Sequence, residues 1–329
     1  MMVTVGEVLA TASRREAVRP SDGKSTSTFE SVTVDGERYF LKRLSPNTDW
    51  IMRLTGDHVH RPYLVWQAGI MAAVPRDIDH TVVAMELAGE GDDAELSILM
   101  RDVSRWLVPE GDTHVSPAVH RLFLDRLACL SHAFWGFRDT IGGLTPMSSR
   151  IRFFAPDNIA PELEVAEPPG PVAAADAGWA ALAERAPAMW DTVRVILDDP
   201  AILSEPMART PVTFLHGDWK MGNLGSHSDG RTILLDWAYP GSGPACWDLA
   251  WYLALNSARM PESKEAAIAS FRAGLSRRGI EVEPWFQRQL DLCLVGIMCT
   301  VGWEKALGDD AELRWWERTV LEAVARQGI

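Results

Sequence analysis

The stretch Phe214-Leu215-His216-Gly217-Asp218-Trp219-Lys220-Met221-Gly222-Asn223, followed by Ile233-Leu234-Leu235-Asp236, decides how the chain is read. An apolar strand, Val212 to Leu215, delivers the acid Asp218 onto a loop. The amide Asn223 sits five residues later. Gly222 to Gly225, a turn at Ser228-Asp229-Gly230 and a strand from Thr232 to Asp236 then form a hairpin that ends on a second acid. Phosphoryl transfer needs such a set. One carboxylate orients the attacking hydroxyl and accepts its proton; an amide and another carboxylate hold Mg²⁺ on the phosphates. Two acids with different neighbours can take these different roles. The alternative is that the same residues merely cap turns, as Asp and Asn often do.

The run His216-Gly217-Asp218-x-x-x-x-Asn223 with Leu235-Asp236-Trp237 resembles the aminoglycoside phosphotransferase and choline kinase family, small-molecule kinases related in fold to protein kinases. The resemblance implies an α+β, protein-kinase-like bilobal fold. Its N-terminal nucleotide-binding lobe, residues 1–103, is a small antiparallel β-sheet. Its C-terminal lobe, residues 104–329, is larger and mainly helical, and carries the catalytic loop and the acceptor site. The resemblance also implies Asp218 as catalytic base, Asn223 and Asp236 as Mg²⁺ ligands, His216 as a structural residue of the loop, and ATP or GTP as phosphate donor.

Upstream, the chain reads as that order of lobes requires. Thr28 to Val34 alternates, Asp35-Gly36 is a tight-turn dipeptide, and Glu37 to Leu44 alternates again, which is a β-hairpin. A helical stretch from Thr48 to Ala73 follows, with Pro62 marking a break or a new helix start. Strands are expected at Thr81 to Leu87 and Glu95 to Asp102, with a turn over Gly89 to Asp93. By resemblance, Lys42 pairs with the nucleotide phosphates. Strand alternation puts it on the face of Phe40 and sends Arg43 to the other.

Gly23-Lys24-Ser25 suggests a Walker A loop, but that motif needs a glycine at position 18, which is Val18. The backbone amides of Gly23 to Ser25 could instead cover the phosphates, with Lys24 touching one; an exposed turn is the equal alternative. Kinases pair the phosphate lysine with a helix glutamate, yet no acid lies between Asp57 and Asp77. Asp49, Asp57 or Gln67 is left to serve, or no partner exists. Main-chain groups of Arg101 and Val103, where the last strand meets the helical lobe, are implied to contact the adenine.

The remainder reads as mostly helical. Ser116-Pro117 is an N-cap followed by proline at the first helical position, and Leu122, Leu127, Leu130 and Phe134 continue that helix. Ala155 to Ala175, rich in Pro, Ala and Glu, reads as a loop or insertion. Helices resume at Trp179 to Leu197 and again from Cys246. Trp237 to Pro244 is a turning stretch rich in Gly and Pro. Asp248 is a helix-start acid that also supports the catalytic loop. The family's acceptor site points to the last helices, where Trp303, Glu304, Asp309, Asp310 and Trp316 offer aromatic faces and carboxylates to a sugar or an amine. Ordinary packing of Trp and solvation of acids is the competing account.

The 329 residues carry a net charge of −13, which repels nucleic acid and anionic membrane and mildly favours a cationic acceptor. Cys129, Cys246, Cys293 and Cys299 match no zinc pattern and no dense disulfide framework. The N-terminus lacks a signal-peptide pattern. The apolar stretch from Leu290 to Val301 contains Asp291 and is shorter than the roughly 20 residues that span a bilayer. The expectation is a soluble cytoplasmic enzyme, monomer or homodimer, with a small-molecule acceptor: an antibiotic such as an aminoglycoside, or a sugar, amino sugar or amino alcohol. A nucleotide-binding regulatory pseudokinase is the alternative, kept open by the missing helix glutamate.

Overall fold

The computed structural model describes residues 4–18 and 27–329. The chain forms two compact units, Met1–Glu110 with Gly222–Ala238, and Gly111–Met221 with Tyr239–Ile329. The hairpin that follows the catalytic loop therefore belongs with the N-terminal residues, not with the helices that flank it in sequence.

The first unit carries α1 (Val5–Ala10), β1 (Arg14–Val18), β2 (Thr28–Val34), β3 (Glu37–Leu44), α2 (Trp50–Thr55), α3 (Arg61–Gln67), β4 (Ile78–Asp79), β5 (Val82–Ala88) and β6 (Glu95–Arg101). The later segment adds β8 (Leu224–Ser226) and β9 (Thr232–Leu234), β7 falling in the other unit. Five strands form an antiparallel sheet in the order β1-β2-β3-β6-β5. The β2–β3 hairpin turns at Asp35 and Gly36, both at positive φ (50° and 81°). An Asp-Gly pair tolerates that geometry, and its twist matches the strands. Val32, Val34, Leu41, Ala84 and Leu99 make one face of the sheet, and α1 covers it through Val5, Val8 and Leu9. Lys42, one residue from Leu41, leaves by the opposite face, as strand alternation requires. A second sheet in the order β4-β9-β8 is built on the later hairpin.

The helical reading of Thr48 to Ala73 resolves into two helices. The break lies at Gly56, in the left-handed region (φ 61°), ahead of Pro62 in the first turn of α3. Of the two readings of Pro62, the new helix start is the one observed.

The second unit carries α4 (Pro117–Ala133), α5 (Met147–Ile151), α6 (Pro156–Leu163), α7 (Gly170–Arg185), α8 (Pro187–Asp198), α9 (Ala201–Ala208), β7 (Val212–Leu215), β10 (Gly241–Pro244), α10 (Cys246–Leu255), α11 (Lys264–Arg277), α12 (Phe286–Leu307) and α13 (Asp310–Gln327). Helix α12 is buried along almost all of its length and packs against α7, α10 and α13. Its Asp291 is fully buried, and its carboxylate accepts from Arg326, Gln287 and Gln327. The acid that interrupts the apolar run is thus a partnered buried charge tying α13 down. No helix of the described residues is long and apolar enough to cross a membrane.

Two local expectations are corrected. Ala155 to Ala175 is mostly helix: Pro156 opens α6 and Gly170-Pro171 opens α7. Gly241 to Pro244 is a short strand antiparallel to β7, with Gly241 opposite Leu215.

Candidate active site

In the second unit, β7 ends at Leu215 and the chain passes through His216 and Gly217 to Asp218. Gly217 has φ 86°, and a Cβ there would collide with the Tyr239 carbonyl and the Arg150 guanidinium, so the loop can close only around a glycine. The loop is held from α10. The buried Asp248 carboxylate accepts the main-chain N–H of His216 (2.9 Å) and of Gly217 (3.0 Å). Burial pushes the Asp248 carboxyl up to about 6, against the Arg150 guanidinium and the two N–H donors, which favour the ionised form. Arg150, itself fully buried, donates to the Tyr239 carbonyl (2.6 Å) and lies 4.4 Å from the centre of that ring. The side chain of Asp218 accepts from Trp251 Nε1 at Oδ1 (2.9 Å) and faces Lys220 Nζ at Oδ2 (2.8 Å). It is 16% exposed, open enough to meet a hydroxyl. Asn256 closes the loop's far end by accepting the Met221 N–H (2.8 Å).

In the first unit, Asn223 and Asp236 sit on the hairpin that follows. The Asn223 carbonyl accepts the Leu235 N–H (2.8 Å), which brings the two polar positions to the same end of β8 and β9. Asp236 has φ 58°, a conformation that costs a non-glycine residue on the order of 1 kcal/mol and is held where surroundings demand it. The Trp237 indole donates to Leu234 O (3.1 Å) and pins the turn. Lys42 Nζ lies 3.0 Å from Asp236 Oδ1, with the lysine 10% and the acid 39% exposed. Lys42 also lies 5.8 Å from the Phe29 ring centre.

The acids considered as lysine partners are used elsewhere. Asp49 caps α2 by accepting from Ile51 and Met52 N–H, and takes a bond from the Ser27 hydroxyl. Asp57 accepts the Arg61 N–H with both oxygens. Among the described residues, the charge facing Lys42 comes from Asp236, 194 positions away.

Asn223 and Asp236 present only oxygen ligands, the donor type of Mg²⁺. Among the described residues no group of three or more His, Cys, Asp or Glu could hold a metal. Two oxygen donors, one amide and one carboxylate, fit an ion that keeps water and substrate phosphate in its shell and takes one or two protein ligands.

The other positions raised by the sequence are placed as follows. Gly23, Lys24 and Ser25 lie outside the described residues. The Arg101 N–H donates to Thr81 O (3.0 Å), its guanidinium pairs with Asp79, and the Val103 carbonyl accepts the Trp106 N–H (2.9 Å). Trp303 and Trp316 are buried, their indoles donating to Thr300 O (3.1 Å) and Glu312 Oε1 (2.7 Å). Asp309 caps α13, Asp310 pairs with Arg185, and Glu304 Oε1 is 3.8 Å from Lys305 Nζ. The sequence does not point to Arg150, and it places Trp251 only on the helix that Asp248 opens, with no site role. Trp251 carried a signal: it stands three residues after Asp248, on the same helix face.

The fold has solved counterparts. Choline kinase LicA from Streptococcus pneumoniae is 12% identical, with 97% of this chain and 95% of that chain covered at a TM-score of 0.50. A microcompartment-associated aminopropanol kinase is 13% identical (97% and 92% covered, TM-score 0.51). Spectinomycin phosphotransferase APH(9)-Ia, solved with ADP and spectinomycin, is 13% identical (94% and 88% covered, TM-score 0.51). At such identities the likeness is one of fold, that of protein-kinase-like small-molecule kinases. A comparison with the curated proteins finds no match. The sequence model of the APH phosphotransferase enzyme family matches residues 16–286, and the chain belongs to that family.

Proposed function

We propose that this phosphotransferase moves the γ-phosphate of ATP to a hydroxyl of a small molecule. The observation that carries the reading is the Lys42–Asp236 pair, 3.0 Å apart in one unit, a buried cation beside an acid at the end of the hairpin. Asp218 accepts the proton of the acceptor hydroxyl as that oxygen bonds to the γ-phosphorus. The bond from phosphorus to the β-phosphate oxygen breaks, and ADP leaves with the electron pair. Lys42 steadies the donor phosphates. Asn223 and Asp236 would hold Mg²⁺, which when bound neutralises charge on the phosphate oxygens.

The net charge of −13 favours an acceptor that carries an amine, such as an amino alcohol, amino sugar or aminoglycoside. The test is release of ADP from ATP, or of GDP from GTP, with Mg²⁺, across choline, aminopropanol, spectinomycin, aminoglycosides and neutral sugars. The expected result is ADP release accelerated by an amine-bearing acceptor and lost in Asp218→Asn. Nucleotide binding with no turnover on any acceptor would instead identify a regulatory pseudokinase.

A further inference from the structure

A carboxylate rotates freely about its last bond unless something holds its plane, because that torsion is broad and two-fold. Asp218 is held at both oxygens, by the Trp251 indole at Oδ1 (2.9 Å) and the Lys220 ammonium at Oδ2 (2.8 Å). The two holds differ in kind. Lys220 is a third exposed, on a flexible stem. Trp251 is buried in the middle of α10. An indole N–H donates and never accepts, so it can fix one oxygen without competing for the proton that the other must take. The same helix face, three residues earlier, carries Asp248, which fixes the main chain of His216 and Gly217. On the loop itself, His216 Nδ1 accepts the Asp218 N–H (3.3 Å).

We propose that Trp251 is a positioning residue for the catalytic base: its indole N–H takes Oδ1 of Asp218 and thereby aims Oδ2 at the acceptor hydroxyl. Helix α10 then sets both halves of the base's geometry, main chain through Asp248 and side chain through Trp251. The proposal rests on the reading of Asp218 as base.

The test measures ADP release from Mg²⁺-ATP with water as the attacking hydroxyl, which requires no knowledge of the natural acceptor. It is repeated with choline, aminopropanol and spectinomycin. Trp251→Phe keeps an aromatic ring and loses the donor. It should lower kcat by about 10–100-fold, the scale of a misaimed group, while KM for ATP stays within about twofold. In an Asp218→Asn background the same change should have no further effect, because the two residues act as one unit. Unchanged kcat in Trp251→Phe overturns the proposal. So does an equal loss in the Asp218→Asn background, since a merely structural role would persist there. Should Trp251→Phe fail to fold, benzothienylalanine placed at position 251 keeps the shape and replaces the N–H by sulfur, with the same two outcomes. The underlying reading fails separately: wild-type protein that releases no ADP, or Asp218→Asn that turns over normally, overturns the role of Asp218 itself.

Discussion

The two acids of the motif are held in opposite ways. Asp218 stands on a loop clamped from a buried helix, with Asp248, Arg150 and Trp251 all drawn from the interior of the helical unit. Asp236 stands at the end of a short hairpin, 39% exposed, in a strained left-handed turn and facing one lysine. A proton acceptor must be aimed within a few tenths of an ångström, and rigid surroundings supply that. The proposed metal role of Asp236 would require it to exchange partners as nucleotide arrives and leaves, and a carboxylate 39% exposed beside a buried lysine is open to do so.

The sharpest way to break this contrast is to remove each acid. Asp218→Asn should lower kcat by about 10²–10⁴-fold, the range for a general base, with Mg²⁺-nucleotide affinity unchanged. Wild-type turnover in that variant would end its assignment. Asp236→Ala should do the reverse. It should weaken Mg²⁺-dependent nucleotide binding by about 100-fold, the upper end of a lost metal-site interaction; calorimetry showing undiminished binding would remove it from the metal site.

Asp248 sharpens the contrast through pH. Its carboxyl is raised to about 6 in the folded protein from an ordinary 3.8. The native state therefore binds this proton more tightly than the unfolded chain. Stability from this group is full below about pH 4 and is lost as pH rises through 6, by about 3 kcal/mol in all. Asp248→Asn lacks that slope. Urea unfolding of both proteins from pH 4 to 7 should show the wild-type advantage shrinking as pH rises, and a constant difference would refute the buried titration.

Backbone substitutions give the smallest effects, of opposite character on the two sides. Gly217→Ala must fit a Cβ into the Tyr239 carbonyl and Arg150 at φ 86° and should cost about 2 kcal/mol or more. Asp236→Gly relieves a positive φ, and its stability should stay within about 1 kcal/mol of wild type. Equal losses in the two variants would mean that the loops are not differently constrained.

Much of this was legible because it is local. The β2–β3 hairpin follows from alternation and one Asp-Gly turn, and α4 from Ser116 and Pro117. The misreadings share a cause. Pro156 and Pro171 look like breakers within Ala155 to Ala175, yet proline in a first helical turn loses no hydrogen bond. Strand β1 shows no apolar pattern because Arg14 to Ala17 are exposed and the first three are charged, as suits an edge strand. Strand β10 is Gly-Ser-Gly-Pro, a composition that says turn until β7 pairs with it.

The motif behind the proposed chemistry is written in the chain itself, because a loop acid, an amide five residues on and a second acid after a hairpin are fixed by covalent spacing. The partner of Lys42 and the orientation of Asp218 are not so written. Lys42 meets Asp236 across 194 positions, and Asp218 meets Trp251 across 33. Such meetings depend on which strand joins which sheet and which helix face turns inward. Those choices come from burying apolar surface over a whole unit, and no local pattern carries them.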